Sequence, residues 1–320
     1  MRVMVLGGTG FVGRHAAAAL KARGHDVVIG TRHPRLAAAR LPAGLRDCES
    51  RETHLESLTT RYVWKPLLVD VHAVVNCVGI LRERGGETYD RVHHMAPAAL
   101  ALACERLGVR LVHVTALGLR REAKSGFLAS KLRGERAIAA TSADYSLVRP
   151  SLLDGEGGYG AAWLRRVARW PVHFYPWDAR GLIAPLDVRD LGEALAILAE
   201  GRGRSDWREV ELGGSVERTM VEYLGALRAL HDGRRALRIP VPAALARIAS
   251  HACDLLHATP FSFGHLELMR RDNCPRENLL PALLGRAPTP VGCEPPQLRP
   301  AYAFAAIPMG HETPVPPSPQ

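Results

Sequence analysis

The sequence predicts an α/β fold: a doubly wound parallel sheet with a small carboxy-terminal lobe. Three observations predict it. A short apolar strand, Val3 to Leu6, runs into Gly7-Gly8-Thr9-Gly10-Phe11-Val12-Gly13 and then an Ala/Leu-rich helical run. Strand-like and helix-like segments then alternate as far as Pro150, the pattern of parallel strands joined by helical crossovers. Beyond Pro150 that alternation loosens into a segment the size of a substrate-side lobe.

The glycine turn is the most specific signal. Glycines at 7, 10 and 13 remove the Cβ atoms that would obstruct a tight turn, a pyrophosphate and close helix–strand packing. The helix that follows offers unpaired N–H groups and a positive dipole end to phosphates. With a strand before it and a helix after it, the pattern reads as a dinucleotide site, made by residues Gly7 to Gly13.

The remaining elements follow from periodicity and punctuation. Phe11 to Arg23 reads as a helix closed by Gly24. Asp26 to Gly30 reads as the second strand. Residues 33 to 70 are less regular, with a short helix over Leu36 to Leu41 and a polar strand within 44 to 54. Ala73 to Val78 is a buried strand, Tyr89 to Leu107 a long amphipathic helix, Arg110 to Thr115 a strand, and Phe127 to Ala140 a helix. Tyr145 to Arg149 is a strand stopped by Pro150. In the second half, helices are expected over 161–169, 191–200, 220–231 and 242–257, and a short strand over Val210 to Leu212. These features divide the chain into a dinucleotide-binding domain at 1–150, a lobe at 151–302 partly interleaved with the sheet, and a proline-rich, disordered tail at 303–320.

The end of the second strand bears on the choice of cofactor. A carboxylate there suits the ribose hydroxyl of NAD, and an arginine suits the 2′-phosphate of NADP. The strand runs into Gly30-Thr31-Arg32-His33, with no carboxylate. Arg32 can fork onto a phosphate, and Arg14 and Arg35 add charge. The expectation is NADP(H) in preference to NAD(H), with Thr31 and Arg32 at the adenosine end.

Bulk properties narrow the function. The chain has 320 residues, 47% hydrophobic, with a net charge of +10. Lysine occurs only at 21, 65, 124 and 131, and the arginines are dispersed without interleaved aromatics, so no nucleic-acid partner is expected. No apolar run approaches the roughly 18 residues that suggest a membrane span, and no signal peptide is legible. The six cysteines lack a C-x-x-C pair, so a metal site is not expected. These features suit a cytoplasmic protein with reduced thiols.

Together these segments resemble the extended and atypical short-chain dehydrogenase/reductase superfamily, of the epimerase/dehydratase kind. The resemblance is carried by the glycine turn, Asn76-Cys77-Val78-Gly79, Thr115, Ser130-Lys131 and Arg149-Pro150-Ser151, then by Pro185 to Asp190 and Glu211 to Gly214. It spans roughly residues 1 to 290. It implies that Cys77, Val78, Gly79, Thr115, Lys131 and Pro150 line the cofactor, with Thr115 and Lys131 as catalytic candidates. More narrowly, Val78-Gly79-Ile80-Leu81 and Met269 to Asn273 are similar to the branch containing the dehydrogenase-like accessory subunit of respiratory complex I. That implies a link to respiratory or quinone metabolism, a protein partner there and peripheral contact at the inner face of a membrane.

Active members of the superfamily place a tyrosine four residues before the lysine, on the same helix face. The phenol exchanges a proton with the substrate while hydride moves. Here the position four before Lys131 is Phe127, which has no exchangeable proton. Three readings follow: a non-catalytic or weakly active NADP(H)-binding accessory or assembly factor; an active reductase or epimerase with a substitute acid; and an NmrA-like redox-sensing regulator. Lys131, if desolvated, is the foremost substitute, and Ser130, Tyr89, His93 and His94 are others. A helical stripe from Val241 to Leu256 reads by default as core-facing, and otherwise as a face for a membrane or an apolar partner.

Overall fold

The computed structural model describes residues 1–292 apart from 202, 234, 257, 258 and 260, so the tail expected from 303 lies outside the described residues. Six strands, β1 (Arg2–Leu6), β2 (Asp26–Thr31), β3 (Glu49–Glu52), β4 (Ala73–Asn76), β5 (Arg110–Val114) and β6 (Tyr145–Pro150), form one sheet with an edge strand, Glu209–Leu212. The spatial order is edge strand, β6, β5, β4, β1, β2, β3, and every pairing is parallel. The order reverses between β1 and β4, so a ligand crevice opens beyond the carboxyl ends of these two strands.

The helices are α1 (Phe11–Ala22), α2 (Pro34–Arg40), α3 (Arg61–Leu68), α4 (Ala96–Leu107), α5 (Gly126–Ala139), α6 (Tyr159–Ala168), α7 (Val188–Glu200), α8 (Met220–Asp232), α9 (Ala243–Leu256), α10 (Phe263–Met269) and α11 (Leu280–Leu284). Because the sheet is covered on both faces, its inner strands β1 and β4 are buried and mostly apolar, whereas β3 at the edge is polar. Val3 and Val5 join one core with Leu20 of α1 and Leu191 and Leu195 of α7. Met4 and Leu6 face the other, with Trp64 of α3 and Leu100 of α4. Arg110 is fully buried at the start of β5: its Nε donates to the Leu198 carbonyl at 2.6 Å and a terminal nitrogen donates to Ser146 Oγ at 2.8 Å. It also pairs with Asp144, tying the end of α7 to the sheet.

Three expectations change. The long helix from Tyr89 is interrupted by a widened turn at Arg91–Met95 before α4 begins. Pro97 has no N–H to offer the His93 carbonyl four residues back, and its ring crowds that oxygen. The displaced carbonyl is met by α5 instead, where a Cβ on Gly134 would lie 1.9 Å from it. Helix α3 went unread because Pro66 lies inside it. The stripe on α9 is not core-facing: Ala246 and Ser250 are the buried positions, whereas Leu245, Ile248 and Leu255 are exposed. Two small side chains pack inward there, while three large apolar ones stand outward.

The second half is fastened to the sheet by Asn273. Its backbone N–H donates to Leu182 and its carbonyl accepts from Ser151 Oγ at 2.7 Å, just past β6. Its side-chain oxygen lies 1.8 Å from where a Cβ on Gly118 would stand, and Gly118 has φ of 79°. Only glycine fits that position.

Candidate functional site

The site is assembled where β1, β2, β4, β5 and β6 end. Gly7, with φ of 70°, turns the chain, and the N–H groups of Gly7 and Gly8 donate to the Gly30 carbonyl of β2. A Cβ on Gly13 would lie 2.2 Å from the Gly7 carbonyl oxygen. The third glycine is therefore dictated by the turn itself: α1 rests directly on it. Gly10 caps α1 without a side-chain hydrogen bond, and the first turn carries no acidic residue. Its N–H groups face the crevice as an anion cradle, so Gly7, Gly8, Thr9, Gly10, Phe11, Val12 and Gly13 fit a dinucleotide pyrophosphate.

At the end of β2, Thr31 Oγ1 lies 3.3 Å from Thr9 Oγ1. Arg32 donates to Glu87 at 2.6 Å, so its guanidinium already holds a carboxylate. Arg14 turns to the 155–158 loop and donates to the Glu156 carbonyl at 2.9 Å.

At the end of β4, the side-chain oxygen of Asn76 accepts from the Val78 N–H at 3.1 Å and its amide donates to His113 Nδ1 at 3.1 Å. This pair fixes the turn Cys77-Val78-Gly79. Burial holds His113 neutral, with its pKa pushed down to about 3, and pushes the Cys77 thiol up to about 12. His113 was missed by sequence reasoning; its one signal was a histidine inside an apolar strand.

Lys131 projects from α5 toward Gly79, where an added Cβ would stand 3.7 Å from its Nζ. The ammonium lies 5.5 Å from the centroid of the Phe127 ring. Among the described residues it makes no hydrogen bond. Burial pushes its pKa down to about 8, against an opposing pull from Glu135. Thr115 donates to Glu135 at 2.7 Å, and Glu135 is clasped by Arg149, so this hydroxyl is held in a buried network that sequence reasoning did not foresee.

The other candidates for a substitute acid are engaged. His93 is held well below its ordinary pKa, first by burial and then by Lys131. Its Nε2 accepts from the Ile80 N–H at 3.0 Å, so Nδ1 carries the proton and donates to Ser130 Oγ at 3.1 Å. Ser130 in turn donates to the Phe127 carbonyl at 3.0 Å. Tyr89 donates to the Leu81 carbonyl at 2.8 Å, and burial, with Asp254 and Glu83 nearby, pushes it up to about 12. His94 pairs with Asp90 away from the site. A cleft of about 540 Å³ opens beside Phe127 and Tyr89, lined also by Arg82, Lys124, His251 and Phe263. Among the described residues no cluster could hold a metal ion.

Residues 7–165 match the family model described as NAD(P)H-binding. The chain has a Rossmann-like α/β fold, which it shares with the solved structures below, and its first half is similar to NAD(P)H-binding proteins. It is 27% identical over 268 residues to a ceramide reductase of Caulobacter vibrioides, covering 82% of this chain and 81% of that one. It is 24% identical over 287 residues to subunit 9 of the NADH dehydrogenase 1 alpha subcomplex of Arabidopsis thaliana mitochondria, covering 84% and 67%. MoeE5 in complex with UDP-glucose and NAD superposes with a TM-score of 0.62 at 20% identity, over 90% of this chain and 93% of that one.

The expected preference for NADP(H) is corrected. MoeE5 and other similar solved structures, a Thermus thermophilus UDP-glucose 4-epimerase among them, hold NAD. The physical reason lies at Arg32, whose charge is taken by Glu87; a 2′-phosphate there would meet that carboxylate.

Proposed function

We propose that this protein is an NAD(H)-dependent oxidoreductase in which Lys131 takes the place of the missing phenol as proton donor to a substrate carbonyl. The observation that carries this reading is the ammonium of Lys131, poised between Gly79 and the Phe127 ring with no hydrogen-bonding partner of its own among the described residues. The nicotinamide, when bound, supplies the hydride. In the reducing direction Lys131 gives a proton to the carbonyl oxygen as hydride reaches the carbon, so the carbonyl becomes an alcohol and the lysine a neutral amine. Asn76 and His113 fix the 77–79 turn that would line the cofactor, and the α1 amino terminus would hold the pyrophosphate. The neighbouring cleft has aromatic walls, Phe127, Tyr89 and Phe263, and cationic Lys124 and Arg247, which suits an amphiphile. The Caulobacter relative, named for reducing a ceramide, supports that class.

The test is NADH oxidation with long-chain ketones by wild type and Lys131→Met. Loss of kcat by about 100-fold with NADH affinity kept supports proton donation. A weakened NADH affinity with kcat kept would instead assign Lys131 to holding the ribose.

A second reading has one observation in its favour. Phe127 offers no proton where the superfamily has its acid, which suits an NAD(H)-holding accessory protein, and the Arabidopsis relative is named as a subunit of a respiratory assembly. Tight NADH binding with no turnover of any carbonyl would support it.

A further inference from the structure

We propose that the cleft beside Phe127 takes an amphiphile with an anionic head, a carboxylate or a phosphate ester, held between Lys124 and Arg247. This rests on the reading of that cleft as the substrate site and adds the charge the substrate carries.

At about 540 Å³ the cleft has the size of a small-molecule site. Phe127, Tyr89 and Phe263 give it apolar walls, and five charged side chains line it: Arg82, Lys124, Arg247, Glu83 and Asp254. Three of the five are engaged. Arg82 donates to the Cys253 and Phe261 carbonyls at 2.8 and 3.0 Å, and its Nε lies 3.7 Å from Asp254. Asp254 also accepts from the Phe263 N–H at 2.9 Å. Glu83 accepts from the Tyr89 N–H at 2.6 Å. These contacts fasten the loop after β4 to α9 and to the start of α10, so they build the cleft and leave little to offer a ligand.

Lys124 and Arg247 remain, and neither pairs with a carboxylate among the described residues. Each is placed by something other than a counter-ion. The backbone N–H groups of Lys124 and Ser125 donate to the two Glu267 oxygens at 2.9 and 2.8 Å, which fixes Lys124 just ahead of α5. The Arg247 guanidinium lies 5.8 Å from the centroid of the Phe263 ring. His251, one turn further along α9, stacks on the same ring at 4.6 Å. A guanidinium set against a ring keeps its N–H groups free to donate to an anion. An apolar chain therefore finds the aromatic walls, and an anionic head finds two cations with no partner to displace. Lys124 and Lys131 stand on either side of Phe127 along one segment of chain. A substrate whose carbonyl meets Lys131 and whose chain lies on Phe127 thus brings its head toward Lys124. Glu83 pairs with no described cation, so its charge opposes the head and limits the affinity.

Calorimetric titration of the NADH-loaded full chain with decanoate, decyl phosphate and decanol tests this. Both anions should bind at least about tenfold tighter than decanol, with a preference that shrinks as salt rises. Decyl phosphate binding more tightly than decanoate assigns a phosphate ester, and otherwise a carboxylate is assigned. Lys124→Ala with Arg247→Ala should cut the preference to about twofold or less, with the melting temperature unchanged because both side chains are exposed. Glu83→Gln should tighten both anions by about threefold. Decanol binding as tightly as the anions, or a double variant that keeps the preference, would overturn the proposal. Charge-selective binding without ketone turnover would uphold this site and count against the role given to Lys131. Ketone turnover with no preference among the three ligands would do the reverse.

Discussion

Lys131 Nζ stands 5.5 Å from the centroid of the Phe127 ring, on the same face of α5 one turn further along. The ring flanks the ammonium and has no proton to share. In the superfamily spacing a phenol would stand there, and its hydroxyl would take the proton-transfer role. Phe127→Tyr should therefore raise NADH-linked carbonyl reduction by about tenfold or more. Steady-state rates with a saturating ketone check this, and an unchanged rate would show that the phenol cannot reach the reacting oxygen.

Burying that ammonium has a cost that can be measured. Its pKa is lowered from 10.5 to about 8. Between these values the unfolded chain binds a proton that the native chain lacks. On this residue's account, stability therefore rises as pH climbs from about 8 to about 10.5, and it is depressed below 8. Lys131→Met removes that dependence. At neutral pH it should raise the melting temperature by ~2 °C while lowering kcat by about 100-fold. Thermal melts of both proteins on either side of pH 8 check the sign.

The pair Arg32–Glu87 makes the cofactor preference adjustable. With Glu87 in place, NADH should bind at least as tightly as NADPH. Glu87→Ala frees the guanidinium and should shift the NADPH-to-NADH affinity ratio upward by about tenfold. Fluorescence titration with each nucleotide checks it; no shift would place Arg32 away from the adenosine ribose.

Asn76 acts through the turn it fixes. Asn76→Ala leaves the Val78 N–H and His113 without their shared partner and should weaken NADH binding by about fivefold, with a stability loss of about 1–3 kcal/mol. Calorimetric titration and denaturant unfolding check the two effects separately.

Arg110 makes a stability prediction with no catalytic component. Arg110→Ala takes the buried guanidinium from Ser146 Oγ and Asp144 and leaves the Leu198 carbonyl only its Gly201 N–H, and should cost about 3 kcal/mol. Urea unfolding measures it, and the variant should retain wild-type NADH affinity.

The parallel sheet, the glycine turn and the placement of Phe127 beside Lys131 were legible in the sequence because each depends on local spacing. Strand alternation marks buried parallel strands, and i to i+4 spacing places Phe127 against Lys131 whatever surrounds them. What was not legible depends on contacts between distant segments. Arg32 reads as a free cation until Glu87, 55 residues on, is found beside it. Thr115 reads as an available hydroxyl until Glu135 and Arg149 close on it. The stripe on α9 has the periodicity of a core face, but periodicity gives the face and not what lies against it. The widened turn before α4 could have been anticipated from Pro97, since the missing N–H has a defined partner four residues earlier.

The measurement that bears most directly on the account is the pH dependence of kcat for NADH-linked ketone reduction by wild type and Lys131→Met. Reduction needs the protonated amine, so the wild-type rate should hold at low pH and fall as pH rises through about 8, while the variant should show no such limb and only residual turnover. A variant that keeps the wild-type rate, or a wild-type profile without a limb near 8, would contradict the role given to Lys131.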